Sequence, residues 1–253
     1  MAGIINARGI CKTFQNDVIQ QHVIRNLDAS FAEGDFTVIM GASGSGKTTL
    51  LKLLAGIWVP TIGKIFCDDQ CITEWSEEKR IIYRREHFGF VSQNPQFMEH
   101  MDIWDHMIVQ GFLSGKDKSR ICARCEQILR MLKIDEKLWH LFPLQLSGGE
   151  QQKCNLALAL MNKPDILFAD EPTGAQNGTG AKQMMDLLTD MREKGQTIIL
   201  TTHDINSAIR GNRILYLQDG KIADEIVLGE YHNEQNMKER FWRLHEFLEA
   251  WEW

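Results

Sequence analysis

The run Gly41-Ala42-Ser43-Gly44-Ser45-Gly46-Lys47-Thr48-Thr49 fits the spacing Gly-x-x-x-x-Gly-Lys-[Ser/Thr] from Gly41 to Thr48. Glycines at these positions let successive backbone N–H groups converge on phosphate oxygens, and a helix starting near Lys47 adds its positive end. Lys47 can then reach the β- and γ-phosphates, and the Thr48 hydroxyl can ligate Mg²⁺. Further along, Ile166-Leu167-Phe168-Ala169 ends in Asp170-Glu171, two carboxylates delivered by an apolar strand. Asp170 is placed to hold Mg²⁺ through water, and Glu171 to orient or deprotonate an attacking water. A third run, Leu146-Ser147-Gly148-Gly149-Glu150-Gln151-Gln152-Lys153, reads as a second glycine-containing helix start with Ser147 as N-cap. Free N–H groups and a serine hydroxyl at a helix N-terminus also bind phosphate, so the chain carries two phosphate-binding elements.

These residues need a frame. The run 35–40 is apolar and stops at Gly41, and Leu50, Leu51, Leu53 and Leu54 follow with helical character. Strand, glycine loop and helix is the context that a phosphate loop requires. Strand-like segments are predicted at 4–11, 23–31, 35–40, 63–67, 87–92, 165–169, 197–202 and 213–218. Helical patterns fall at 47–55, 103–113, 118–132, 148–161 and 180–193. Alternation of this kind means an α/β fold with a largely parallel sheet. Residues 94–161 offer helices and no strand, which predicts a helical subdomain inserted into a core formed by 1–93 and 162–228. The stretch 229–253 predicts an amphipathic helix over Asn233 to Trp253, with Met237, Phe241, Leu244, Leu248 and Trp251 at helical spacing. Its tryptophans, Trp242, Trp251 and Trp253, would leave a sticky face unless the helix docks on the core or a second copy, or serves a partner.

The 253 residues carry a net charge of −6, with 43% hydrophobic and 25% charged residues, the balance of an ordinary globular protein. No run approaches the roughly 18 apolar residues of a membrane span, and the N-terminus lacks the features of a secretory signal, so a cytosolic chain with reduced thiols is expected. The acidic balance argues against nucleic acid as a partner. Cys122-x-x-Cys125 has the spacing of a zinc or redox pair. Ile121, Cys125, Ile128, Leu129 and Leu132 share one helical side, however, which favours thiols packed as small apolar groups, and no second pair has matching spacing.

Taken in order, the motifs resemble those of ATP-binding cassette ATPases from about residue 4 to about 228. Leu-Ser-Gly-Gly-Glu-Gln is similar to the signature of that family. The resemblance implies a P-loop NTPase core with a largely parallel sheet, an antiparallel β edge and the inserted helical subdomain. By the same resemblance Phe14 stacks on adenine, Gln93 links the Mg²⁺ site to the helical subdomain, and His203 contacts the γ-phosphate. Two copies would pair head to tail, so that ATP and Mg²⁺ on Gly41–Thr49 of one are covered by Ser147, Gly148, Gly149 and Glu150 of the other. ATP would close the pair and hydrolysis by Glu171 and His203, with Lys47, would reopen it. The motion would pass through a groove near Gln93 to membrane permease subunits, with the chain peripheral on the cytoplasmic face of the membrane.

Asp170-Glu171-Pro172-Thr173-Gly174-Ala175 resembles the branch of lipoprotein-release, macrolide-efflux and cell-division cassettes, and also the bacitracin-resistance type. Three departures from the family pattern stand out: Gln176-Asn177 in place of Leu-Asp, Lys153 in place of Arg, and Leu158 in place of an Arg in the signature helix, a change expected to alter contacts near Gln93. A regulator that gates a permease-like partner without moving a substrate is the alternative reading. A chromosome-structural ATPase would need long coiled coils between the two motifs, and a translation-type cassette would need two copies in tandem.

Overall fold

The computed structural model describes residues 4–15, 20–113, 115, 117–174, 178–232 and 236–251. Ala175, Gln176 and Asn177, together with Asn233 and Trp253, lie outside the described residues. Among the described residues ten strands and eight α-helices follow one another: β1 (Ile5–Gln15), β2 (Gln20–Phe31), β3 (Phe36–Met40), α1 (Lys47–Leu54), β4 (Ile62–Cys67), β5 (Gln70–Cys71), α2 (Glu77–His87), β6 (Phe88–Val91), α3 (Ile103–Phe112), α4 (Lys118–Met131), α5 (Gly148–Ala159), β7 (Ile166–Asp170), α6 (Gly178–Glu193), β8 (Thr197–Thr201), α7 (Ile205–Ala208), β9 (Arg213–Gln218), β10 (Lys221–Val227) and α8 (Met237–Glu249).

Two sheets organise the chain. One has the order β2-β1-β4-β5 with antiparallel pairings, and the other the order β10-β9-β3-β8-β7-β6. In the second sheet β9, β3, β8, β7 and β6 run parallel, and β10 pairs antiparallel with β9. Strands β3, β7 and β8 are buried at every residue, as apolar parallel strands covered on both faces should be.

The period of two then assigns alternate residues to two cores. Val38, Met40, Leu167, Ala169, Ile198 and Leu200 face a cluster that continues through Ile121, Cys125 and Ile128 of α4 and Leu188 of α6. Ile39, Ile166, Phe168 and Ile199 face the other side, where α1 packs through Leu50, Leu51, Leu53 and Leu54 between the two sheets. The helices of residues 103–159 therefore share one core with the sheet and do not enclose their own. Burial pushes the thiols of Cys67, Cys125 and Cys154 up to about 12, so these cysteines pack as apolar groups.

Helix α2, edge strand β10 and the short elements β5 and α7 escaped the periodicity reading. Helix α2 buries none of its residues, so it has no apolar stripe to detect. Its signals are at its ends: Ser76 caps it by accepting from the Lys79 N–H, Glu77 and Glu78 open it, and Arg84, Arg85 and His87 close it. Edge strand β10 likewise buries none of its residues fully, and its apolar Ile222, Ala223, Ile226 and Val227 do not alternate cleanly with its charged ones.

The C-terminal helix is shorter than predicted, with α8 spanning Met237–Glu249, and it docks on the first core through Leu244 and Leu248. Arg240 is 2% exposed and donates to the carbonyls of Ile209, Gly211, Leu228, Gly229 and Glu230 at 2.5–3.1 Å. Burial pushes its pKa down to about 10, which leaves the guanidinium charged at neutral pH, tying α8 to the chain ends that precede it. Arg240→Ala orphans those acceptors and is expected to cost about 3 kcal/mol or more. Leu248→Ala should cost about 2–5 kcal/mol. Trp242→Ala, at a 66% exposed position, should stay within about 0.5 kcal/mol in urea unfolding.

Candidate nucleotide site

Parallel strands end on the same side, so β3, β6, β7 and β8 deliver their C-terminal residues to one edge of the sheet. The loop after β3 folds back on itself. Gly41 has no room for a side chain, because a Cβ there would run into the Leu217 carbonyl oxygen of β9. Gly46 caps α1 with φ 105°, in the left-handed region that favours glycine. Lys47 is 6% exposed, and its Nζ donates to the carbonyl oxygens of Gly41 at 2.7 Å and Ala42 at 3.0 Å. Burial lowers its pKa, opposed by the nearby charges of Glu171 and Asp170. The Ser45 hydroxyl is buried without a partner at the base of the loop.

Asp170 and Glu171 separate in their partners. Asp170 Oδ1 accepts from the Thr48 hydroxyl at 2.8 Å and from the Thr201 hydroxyl at 2.7 Å. Glu171 turns into the left-handed region at φ 44°, a strained conformation for a non-glycine residue. Its N–H donates to the Thr201 carbonyl at 3.0 Å, and its Oε2 lies 3.3 Å from Gln93 Nε2 and 3.2 Å from His203 Nδ1. The kink turns consecutive carboxylates to different work.

One cleft of about 720 Å³ gathers part of this set; Gly41, Ser45 and Asp170 do not line it, and Asp170 joins it through its bond with Thr48. Phe14, Ser43, Gly44, Gly46, Lys47, Thr48, Thr49, Gln93, Glu171 and His203 line it. Ser147, Gly148, Gly149 and Glu150 do not, and Ser147 and Gly148 are exposed at the start of α5. There Ser147 and Glu150 form a reciprocal capping box. Hydrogen bonds from the Ser147 side chain and backbone hold the Glu150 carboxyl below the usual range. The cap's contribution is therefore full above that range and lost as pH falls through the folded value.

Sequence reasoning passed over three contributors. Thr201 stands beside Asp170 in register, and only the pairing of β7 with β8 reveals it. Gln152 and Asn155 of α5 each donate at 3.0 Å to the Ser92 carbonyl, next to Gln93, tying the signature helix to the end of β6. Their signal was two amides on the inward face of a helix. Leu158 packs partly buried against the core, and Gln152 and Asn155 make the contacts to Ser92 beside Gln93. Lys153 reaches Gln183 Oε1 at 3.1 Å.

The chain matches the sequence model of the family described as ABC transporter over residues 24–174. An uncharacterized ABC transporter ATP-binding protein of Methanocaldococcus jannaschii, MJ1508, is 34% identical over 88% of this chain and 99% of its own. The chain belongs to the ABC transporter family. It is an ATPase cassette of that family, and it is also 38% identical, over 85% of its length, to the macrolide export ATP-binding/permease protein MacB of Shewanella sp. (strain ANA-3). The chain spans about a third of the length of that relative, 32%. Among solved structures, a dimeric post-hydrolysis state of the ATP-binding cassette MJ0796 bound to ADP and Pi superposes with a TM-score of 0.84 at 30% identity, covering 90% of this chain and 100% of that one.

Thr201→Val removes both the donor to Asp170 and the acceptor near the Glu171 N–H. This is expected to lower stability by about 1–3 kcal/mol in urea unfolding, with Thr201→Ser restoring most of it.

Proposed function

We infer that the cassette hydrolyses ATP as one of a pair and uses the cycle to drive a membrane permease. The observation that carries this is the division of the site: the cleft gathers Lys47, Glu171, Gln93 and His203, while Ser147 and Gly148 stand exposed outside it, with Gly149 half-buried beside them. A second copy turned head to tail would lay that helix start over the cleft. The dimeric form of the similar solved cassette supports the pairing.

The residues fit the ligands. A hydroxyl and a carboxylate oxygen 2.8 Å apart, on Thr48 and Asp170, with the Gln93 amide nearby, are the hard oxygen donors that suit Mg²⁺. Bound there, Mg²⁺ would neutralise charge on the β- and γ-phosphates. Phe14 would stack on the adenine, and the N–H groups of Ser43 through Thr49 would cradle phosphate. Lys47 would exchange the Gly41 and Ala42 carbonyls for phosphate oxygens. Glu171 would take the proton of the attacking water, held in place by His203 and Gln93 on its Oε2, and His203 would contact the γ-phosphate. Differential affinity of the closed pair for ATP supplies the work.

A groove of about 410 Å³ between α2, β6, α3 and α5 suits the permease. Ile81 and Leu113 stand 44% and 50% exposed on it beside Arg84 and Arg85. No helix among the described residues is long and apolar enough to cross a membrane. In this reading the permease supplies the spanning part and the cassette sits on the cytoplasmic face. The macrolide-export name of the relatives supports a transport role over the alternative, a regulator of a permease-like partner.

At about 100 times its dissociation constant Mg-ATP should stabilise the cassette by about 2.7 kcal/mol; no shift in melting temperature would reject nucleotide binding. Glu171→Gln should accumulate as an ATP-bound dimer in size exclusion, and normal turnover by that variant would show the base to lie elsewhere.

A further inference from the structure

Phe14, the penultimate residue of β1, lines the cleft, and a second aromatic stands behind it. Trp58 lies on the turn between α1 and β4 and does not line the cleft. Its ring meets Phe14 edge to face, with centroids 5.1 Å apart and planes at 73°. Both rings are half-buried. Two cations flank the pair. Lys52 of α1 has its Nζ 4.8 Å from the Trp58 centroid, and Lys12 of β1 has its Nζ 5.2 Å from the Phe14 centroid while donating to the Val59 carbonyl at 2.8 Å.

The turn that carries Trp58 is fastened at both ends. The Thr61 N–H donates to the Cys11 carbonyl at 2.8 Å, the Thr13 N–H donates to Thr61 Oγ1 at 3.0 Å, and the Trp58 N–H donates to the Lys52 carbonyl at 3.1 Å. The indole thus connects the strand end bearing Phe14 to α1, the helix whose first residues are Lys47 and Thr48. A ring on a strand end has two free torsions, and a base that stacks on it must otherwise fix them on binding. An edge-to-face neighbour fixes the plane beforehand.

We propose that Trp58 is a positioning residue for the nucleobase: it sets the plane of Phe14 and ties the base half of the site to the phosphate half. This rests on the reading that Phe14 receives the adenine. It separates two contributions to affinity, because only the base feels Phe14, while the triphosphate contacts the loop and α1.

Calorimetric binding of ATP and of inorganic tripolyphosphate, both with Mg²⁺, tests this on the full chain. Trp58→Ala should weaken ATP by about 3–10-fold and leave tripolyphosphate within about twofold. Trp58→Phe should recover most of the loss, and Trp58→Leu, which keeps bulk without a ring, should not. Equal weakening of both ligands by Trp58→Ala would assign the indole to turn packing alone and overturn the proposal. So would unchanged ATP affinity in Trp58→Ala or Trp58→Leu when Phe14→Ala loses ATP affinity selectively. If Phe14→Ala itself binds ATP normally, the adenine reading of Phe14 fails first, and the brace with it.

Discussion

Burial of β3, β7 and β8 on both faces is the constraint from which the site follows. A strand covered on both sides must be apolar along its length, and in a parallel sheet it must be reached by a crossover that returns the chain to the same starting edge. Polar side chains are then admitted at the strand ends, and parallel strands share that end. Met40, Asp170 and Thr201 are the last residues of three such strands. The phosphate loop, the two carboxylates and the segment leading to His203 are neighbours for that reason, although about 30 to more than 100 residues separate them along the chain.

The two carboxylates admitted at that edge are held by other polar groups. Asp170 is 4% exposed and would carry a costly charge if left alone; hydroxyls from Thr48 and Thr201 share it. Glu171 remains more open, and its left-handed backbone is stabilised by bonds to the end of β8. The signature helix reaches the same edge from the side, with Gln152 and Asn155 gripping the Ser92 carbonyl. A movement of α5, which presents Ser147 and Gly148 outward, is thereby felt beside Gln93. One helix joins the surface that a second copy would meet to the residue that contacts Glu171.

Much of this was legible in the sequence because it depends on short-range rules. The Gly41–Thr48 spacing, the apolar strand ending in Asp170-Glu171 and the Ser147 cap are local patterns, and the structure brings Phe14, Gln93, Glu171 and His203 to the cleft with the loop. What was not legible depends on pairing across the chain. Thr201 looks like any strand threonine until β8 is set beside β7. Gln152 and Asn155 look like surface amides until α5 is laid against β6. Helix α2 and strand β10 bury too little apolar surface to impose a period, so their ends and turns are their only local signals. The C-terminal helix showed its apolar spacing plainly, but Arg240, which sits among carbonyls without a carboxylate partner, gave no sign of burial.

The state of Lys47 bears on how such a site can bind tightly and still release. Its ammonium is already out of water and already bonded to the Gly41 and Ala42 carbonyls. Much of the desolvation cost is met in folding, so phosphate oxygens bound as proposed would replace neutral acceptors with charged ones, and charge-assisted bonds are roughly twice as strong. Affinity then comes from an exchange of partners inside a loop that holds its shape. When phosphate leaves, the same two carbonyls are there to receive the ammonium again. A lysine stripped of acceptors by hydrolysis would bear an unpaired buried charge, and the loop would resist letting product go. The two carbonyls remove that penalty.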